Sequence, residues 1–123
     1  MLMNQRTALV QPHSTEAEMS VLGSMMLDSD AAERVAEMLQ PEDFYHPAHQ
    51  ILYRAMSSMH ERNYPIDLLT VQEELRRLGQ LEEVGGVPAL VNLLESVPTA
   101  ANAEHYARIV KEKSTLRRLL RAA

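Results

Sequence analysis

An all-α fold is the class this sequence predicts, and three observations predict it. Apolar residues recur at helical spacing in six separate segments. No segment makes a convincing strand. Ser, Thr, Asp or Pro stands at the start of the periodic segments, where helix caps and first turns need them. The expected architecture is a compact head of about five helices, residues 14–98, followed by a projecting helix, residues 99–123. Residues 1–13 show no period and are expected to form a mobile N-terminal tail.

The elements follow in order. Ser14 is read as the first N-cap, with Thr15-x-x-Glu18 as an alternative capping box one residue later. Val21, Leu22, Met25 and Met26 then share a face, and Gly23 inside that helix points to close packing rather than to a ligand. Asp28-Ser29-Asp30 ends the first helix and caps the second, where Asp30-x-x-Glu33 resembles a capping box; Ala31, Ala32, Val35, Met38 and Leu39 form its buried stripe. Pro41 stops it. Glu42–Tyr45 is a short connector from which Phe44 plugs the core. Pro47 fits the first position of the third helix, which carries Ala48, Ile51, Leu52, Ala55, Met56 and Met59. Asn63-Tyr64-Pro65 is a loop. Thr70-x-x-Glu73 is read as the capping box of the fourth helix, with Val71, Leu75 and Leu78 buried and Gly79 just past its end. Gly85-Gly86 turns the chain, and Pro88 starts a short fifth helix with Leu90, Val91, Leu93 and Leu94. Val97-Pro98 interrupts, and Thr99 or Asn102 caps the last helix.

Composition excludes several functions. There is no cysteine, which rules out disulfides, Fe–S clusters and thiol nucleophiles. With no Trp, one Phe and four Tyr, base stacking on single strands is not a major activity. The net charge of −5 hides an asymmetry: residues 1–107 carry −10 and residues 108–123 carry +5. No apolar run approaches the ~20 residues that a membrane span needs, and no signal peptide is legible, so a soluble cytoplasmic protein with no membrane partner is expected. Leu116–Ala123 ends in good helix formers with no stop residue, which predicts a longer parent.

The chemical constellations are thin. A P-loop needs phosphate-cradling glycines before Lys-Ser/Thr, and Lys113-Ser114 follows Glu112 instead. No catalytic residue, cofactor site or metal site is therefore assigned. Asp43-x-x-His46-x-x-His49 has three potential metal ligands, but Pro47 disturbs the spacing; Asp43 and His46 are read as helix caps and His49 as a partly exposed surface residue. Glu73-Glu74 and Glu82-Glu83 are read as solvated acidic surface, and the eight methionines as core filler. Arg108, Lys111, Lys113, Arg117, Arg118 and Arg121 either meet phosphate or complement the helix dipole.

The last helix carries two apolar faces. Ala103, Tyr106, Ile109 and Val110 share one side, whereas Leu116, Leu119 and Leu120 lie on another. The first half is expected to dock on the head and the second to project, leaving a seam of Ile109, Leu116, Leu119 and Leu120 for self-association into a two-fold dimer.

Several stretches also resemble the N-terminal domain of bacterial DnaB-type replicative helicases. They are Ser14–Gly23, Pro41–Tyr45 with Ala48-His49-Gln50, Leu81–Gly86, Val97–Asn102, Tyr106–Val110 and Leu116–Leu119, and in order they cover about residues 12–121. Thr15, where an aliphatic residue is common, and Asn63-Tyr64, in place of a Gly-containing turn, are small departures. The resemblance implies a non-catalytic collar domain: a helical head, then the first arm of a helical hairpin. It implies a hexameric ring assembled from dimers, single-stranded DNA passing through it, and docking of the primase C-terminal domain. Unwinding would use ATP and Mg on a separate motor domain. Val87, Ala89, Leu90 and Leu120 are the candidate primase-facing residues. A small helix-turn-helix DNA-binding domain is the alternative, though no helix presents a good recognition face.

Overall fold

A computed structural model of the chain describes residues 10–122, and these form six α-helices, two 3-10 turns and no strand. The helices are α1 (Thr15–Leu27), α2 (Ser29–Met38), α3 (Pro47–Glu61), α4 (Leu68–Arg77), α5 (Gly86–Glu95) and α6 (Ala103–Ala122). The 3-10 turns are Pro41–Asp43, before α3, and Ala100–Asn102, before α6.

Helix α1 is the central element, packed against α6, α5, α2 and α3. Its sequence suggested a single apolar face. In the fold it is buried on all sides from Ser20 to Met26. Helices on every flank leave it no solvent side, so Ser20, Gly23 and Ser24 are enclosed as fully as the leucine and methionines. Gly23 is required by closeness: a methyl group there would collide with the Leu93 carbonyl and the Val97 side chain of the α5 end. Phe44 and Tyr53 fill the core beneath the first 3-10 turn, ring centroids 5.0 Å apart. The buried Tyr53 hydroxyl donates 2.8 Å to the Leu39 carbonyl, holding the end of α2 over α3.

The caps differ in detail from those read in the sequence. Ser14 does cap α1, its Oγ accepting from the Ala17 amide at 3.2 Å, while Glu18 turns inward instead of closing a box. Asp28 rather than Asp30 caps α2, accepting from the Asp30 amide. Asp67 rather than Thr70 caps α4; Thr70 is its reciprocal partner three residues on. The helix therefore starts at Leu68, and Leu78 falls at its C-cap, 45% exposed, not in the core. Gly85 takes the left-handed φ of 106° that α5 uses as its N-cap. Thr99 caps the 3-10 turn that leads into α6.

Of the expected N-terminal tail, residues 1–9 lie outside the described residues. Pro12 and His13 are held on the head: the Pro12 carbonyl accepts from Arg117, and His13 stacks on Tyr45 at 3.9 Å.

Candidate interaction surface

Helix α6 carries the residues that sequence reasoning singled out, and its seating decides what they can do. Ala103, Ala107, Val110, Ser114 and Arg117 are its buried residues, spaced four, three, four and three apart. That is one continuous stripe on a helix. The buried face runs straight, but its chemistry changes from apolar to polar after Val110. The expectation that the second half projects free of the head is thereby corrected. It is docked, through hydrogen bonds rather than leucines.

Asp43 is the receptor for this polar half. Its Oδ1 accepts from Ser114 Oγ at 2.7 Å and Arg118 at 3.4 Å. Its Oδ2 accepts from Lys111 Nζ at 3.0 Å and from the Gln40 amide at 2.7 Å. Burial alone would raise the Asp43 pKa, but the Gln40 amide, the Ser114 hydroxyl and the Lys111 ammonium together hold it below the ordinary value. Arg117 donates to the Asp43 carbonyl at 2.7 Å and to the Pro12 carbonyl at 2.8 Å, with its guanidinium 5.5 Å over the Tyr45 ring. Burial lowers the Arg117 pKa, with Glu18 opposing and Arg121 adding to the shift.

The candidate metal triad is dispersed by these contacts. Asp43 caps its own turn and faces α6, His46 Nε2 lies 2.7 Å from Thr15 Oγ1, and His49 Nδ1 lies 2.7 Å from Glu18. Among the described residues no group of three or more His, Cys, Asp or Glu side chains is arranged to hold a metal ion. His49 is not a surface residue, since its side chain is 12% exposed against a Glu18 that is 2% exposed. Glu74 is likewise enclosed rather than solvated, gripped by Arg62 at 3.0 Å and Arg77 at 2.8 Å. Three members of the basic cluster, Lys111, Arg117 and Arg118, are engaged by the head, which leaves a smaller surplus for phosphate.

Outward-facing residues make two surfaces. Leu116, Leu119 and Leu120 are 44%, 62% and 57% exposed. Ile109, placed in the same expected seam, is half-buried against the core. Leu116 continues into a shallow groove with Met38 and the aliphatic stems of Arg108 and Lys111. The second surface surrounds the turn between α4 and α5, where Val87 lines a concavity with Leu81, Gly85 and Pro88. Val87 and Ala89 are half-buried, of which Val87 lines this concavity, but Leu90 is 0% exposed and belongs to the core. One helix cannot point consecutive residues in the same direction, so Leu90 faces inward as Ala89 faces out.

Residues 10–112 match the DnaB-like helicase N-terminal domain family. The chain belongs to this family. The replicative DNA helicase DnaB of Geobacillus stearothermophilus is 54% identical over 114 residues, which are 93% of this chain and 25% of that protein. The chain thus spans about a quarter of the length of the curated relatives it matches. The crystal structure of the N-terminal domain of DnaB helicase from Mycobacterium tuberculosis superposes with a TM-score of 0.90 at 50% identity, covering 92% of this chain and 82% of that one. The N-terminal domain of DnaB helicase from Helicobacter pylori, described with its interactions with primase, gives 0.70 at 25% identity, covering 87% and 83%. The all-helical architecture expected from the sequence is the architecture of this DnaB-like domain, and no helix among the described residues is long and apolar enough to cross a membrane.

Sequence reasoning missed Asp43 and Glu18 as buried anchors and Arg117 as a buried cation. One signal was available. The interval Ala103, Ala107, Val110 continues as Ser114 and Arg117, so a buried stripe could have been extended through polar residues that have partners elsewhere.

Proposed function

We propose that this chain is the non-catalytic collar of a replicative DNA helicase, assembling into a ring through copies of itself and docking primase. The observation that carries it is the 54% identity over nearly the whole chain to a replicative helicase four times as long. In this reading the parent unwinds DNA in the cytoplasm with ATP and Mg bound to a motor outside this chain. Single-stranded DNA passes through a ring built as a trimer of dimers.

Leu116, Leu119 and Leu120 are the self-association residues, with Ile109 supporting them from its half-buried position. Burying each leucine contributes about 1.5–3 kcal/mol, which offsets much of the entropic cost of pairing two chains. Sedimentation across a concentration series tests this: the wild type dimerises and a Leu116→Asp, Leu120→Asp variant does not. A wild type that stays monomeric at high micromolar concentration removes the arm as an interface. Primase docking uses Val87, Ala89 and Leu120. One copy binds weakly because the ring gains from multivalency. Resonance shifts at these residues on adding a cognate primase C-terminal domain support the assignment, and their absence counts against it.

The helix-turn-helix alternative has no observation in its favour. The cations that remain exposed on α6 lie beside an otherwise acidic head, and a tight sequence-dependent shift with duplex DNA at physiological salt would be needed to revive it.

A further inference from the structure

Three imidazoles, one carboxylate and one guanidinium meet where four segments converge on α1. His13 comes from the N-terminal segment, Tyr45 and His46 from the turn before α3, His49 from α3 and Arg117 from α6. The His46 ring stands edge-on to His13 at 5.3 Å and to His49 at 5.0 Å. Its Nε2 reaches Thr15 on α1. Tyr45 meets both His13 and Arg117, with the His13 ring stacked on it at 3.9 Å and the Arg117 guanidinium over it at 5.5 Å.

The charges in this cluster are few. Glu18 is 1% exposed and, among the described residues, is the carboxylate that bonds the imidazole set, through His49 at 2.7 Å. Its oxygens also accept from the Tyr45 amide at 2.6 Å and the His46 amide at 3.4 Å. Asp43, the other nearby carboxylate, is turned toward Lys111, Ser114 and Arg118. Arg117, with Arg121 beyond it on α6, supplies positive charge. A proton on His49 meets Glu18 directly. A proton on His46 has no carboxylate bonded to its ring and faces the His13 and His49 rings, while His13 Nδ1 pairs with the Gln11 carbonyl at 2.8 Å and the neighbouring Pro12 carbonyl holds Arg117.

We propose that this cluster is a proton-sensitive latch, which ties Pro12-His13 to α1 and the turn before α3, and through the Pro12 carbonyl holds Arg117 on the C-terminal half of α6, while His46 is neutral, and which loosens both when His46 gains a proton. The N-terminal half of α6 stays seated, because Ala103, Ala107 and Val110 carry no charge. Burial lowers the His46 pKa; Glu18 opposes this, and His49 and His13 reinforce it. A histidine whose folded pKa is lowered binds protons more readily once released. The latch is therefore intact above the ordinary value of 6.5 and weakens as the pH falls below it through the folded value.

Hydrogen exchange at pH 7.5 and 5.5, corrected for intrinsic rates and run at two protein concentrations, tests the latch in the whole chain. Acid is expected to lower protection over Ser114–Arg121 by ~threefold or more relative to Ala103–Val110, independently of concentration. A His46→Gln variant, neutral and still able to bond Thr15, is expected to lose most of that pH response. Should this variant not fold, imidazole titration by NMR in the unaltered chain decides. His46 must titrate below 6.5, with the protection over Ser114–Arg121 following the same midpoint. Equal loss in every helix, a response retained in His46→Gln, or His46 titrating uncoupled from α6 each overturns the latch.

Discussion

The two halves of α6 lie on the same head by different physics. From Ala103 to Val110 the contact is small apolar side chains against α1 and α2. From Lys111 to Arg118 it is four side chains reaching one carboxylate and one carbonyl of the Pro41–Asp43 turn. Apolar contacts tolerate repacking, and their strength follows the area removed from water. The polar half depends on having every partner present, since a buried donor or acceptor left alone costs its full desolvation. The upper half sets how strongly α6 adheres, and the lower half sets its register and direction.

Removing Asp43 should break this contrast most severely. Asp43→Ala leaves the buried Ser114 hydroxyl and the Gln40 amide without their acceptor, while Lys111 and Arg118 can turn to solvent. The expected loss is about 3 kcal/mol in urea unfolding, below the upper range for a broken buried pair because two partners are half-exposed. Exchange protection should fall from Lys111 onward more than before it. The apolar counterpart is Val110→Ala. Deleting two methyl groups at a site 2% exposed should cost roughly 2 kcal/mol. A Val110→Ala loss exceeding that of Asp43→Ala would mean that the polar half contributes little.

The same contrast explains what the sequence revealed. Leu52, Met56 and Met59 on α3, and Ala31, Ala32 and Val35 on α2, were legible because a period of 3.6 in apolar residues has one cheap explanation. Phe44 was legible because a large ring between Pro41 and Pro47 has few other places to go. Asp43, Glu18 and Glu74 were not legible as buried groups. Burial depends on partners 68 to 75 positions away for Asp43 and 27 to 31 for Glu18, and no local pattern announces a long-range partner; Glu74 has Arg77 three positions on, but such a pair reads the same in sequence whether it is solvated or enclosed. The caps slipped for a related reason. Asp28 and Asp67 compete with neighbouring Asp30 and Thr70, and backbone geometry decides between them. For the interaction surface, the exposed leucines were readable, whereas the full burial of Leu90 was not, since Val87 and Ala89 beside it stay partly exposed.

Two milder perturbations sharpen the polar half. Arg117→Lys keeps the charge but loses the planar fork that spans the Asp43 and Pro12 carbonyls and lies over Tyr45. A loss of about 1–2 kcal/mol is expected, with the His13 resonances shifting as the stacked segment loosens. Acid supplies the second. The Asp43 pKa is lowered in the fold, so its contribution is present above the ordinary value of 3.8 and is lost as the pH falls through the folded value. Asp43→Asn should therefore have a flatter acid-unfolding profile than wild type below pH 3.8 and be less stable above it. Parallel profiles would remove Asp43 from the acid response.

The smallest expected effect lies on the outward face of α6, which neither half of the buried stripe uses. Leu119 is 62% exposed, so the folded monomer gives it little to lose. Leu119→Gln should change monomer stability by less than ~0.5 kcal/mol, the range of surface substitutions without a packing role. Ile109→Gln, on a side chain packed against the core, should cost clearly more. Urea unfolding of both variants at low micromolar concentration measures this difference. Repeating it at high concentration asks a separate question, because association stabilises whatever the dimer buries. If the arm pairs two chains, wild type gains stability with concentration and Leu119→Gln gains less, although the two are equal when dilute. An equal gain in both would place the seam elsewhere, and a large loss in dilute Leu119→Gln would mean that Leu119 packs on its own head.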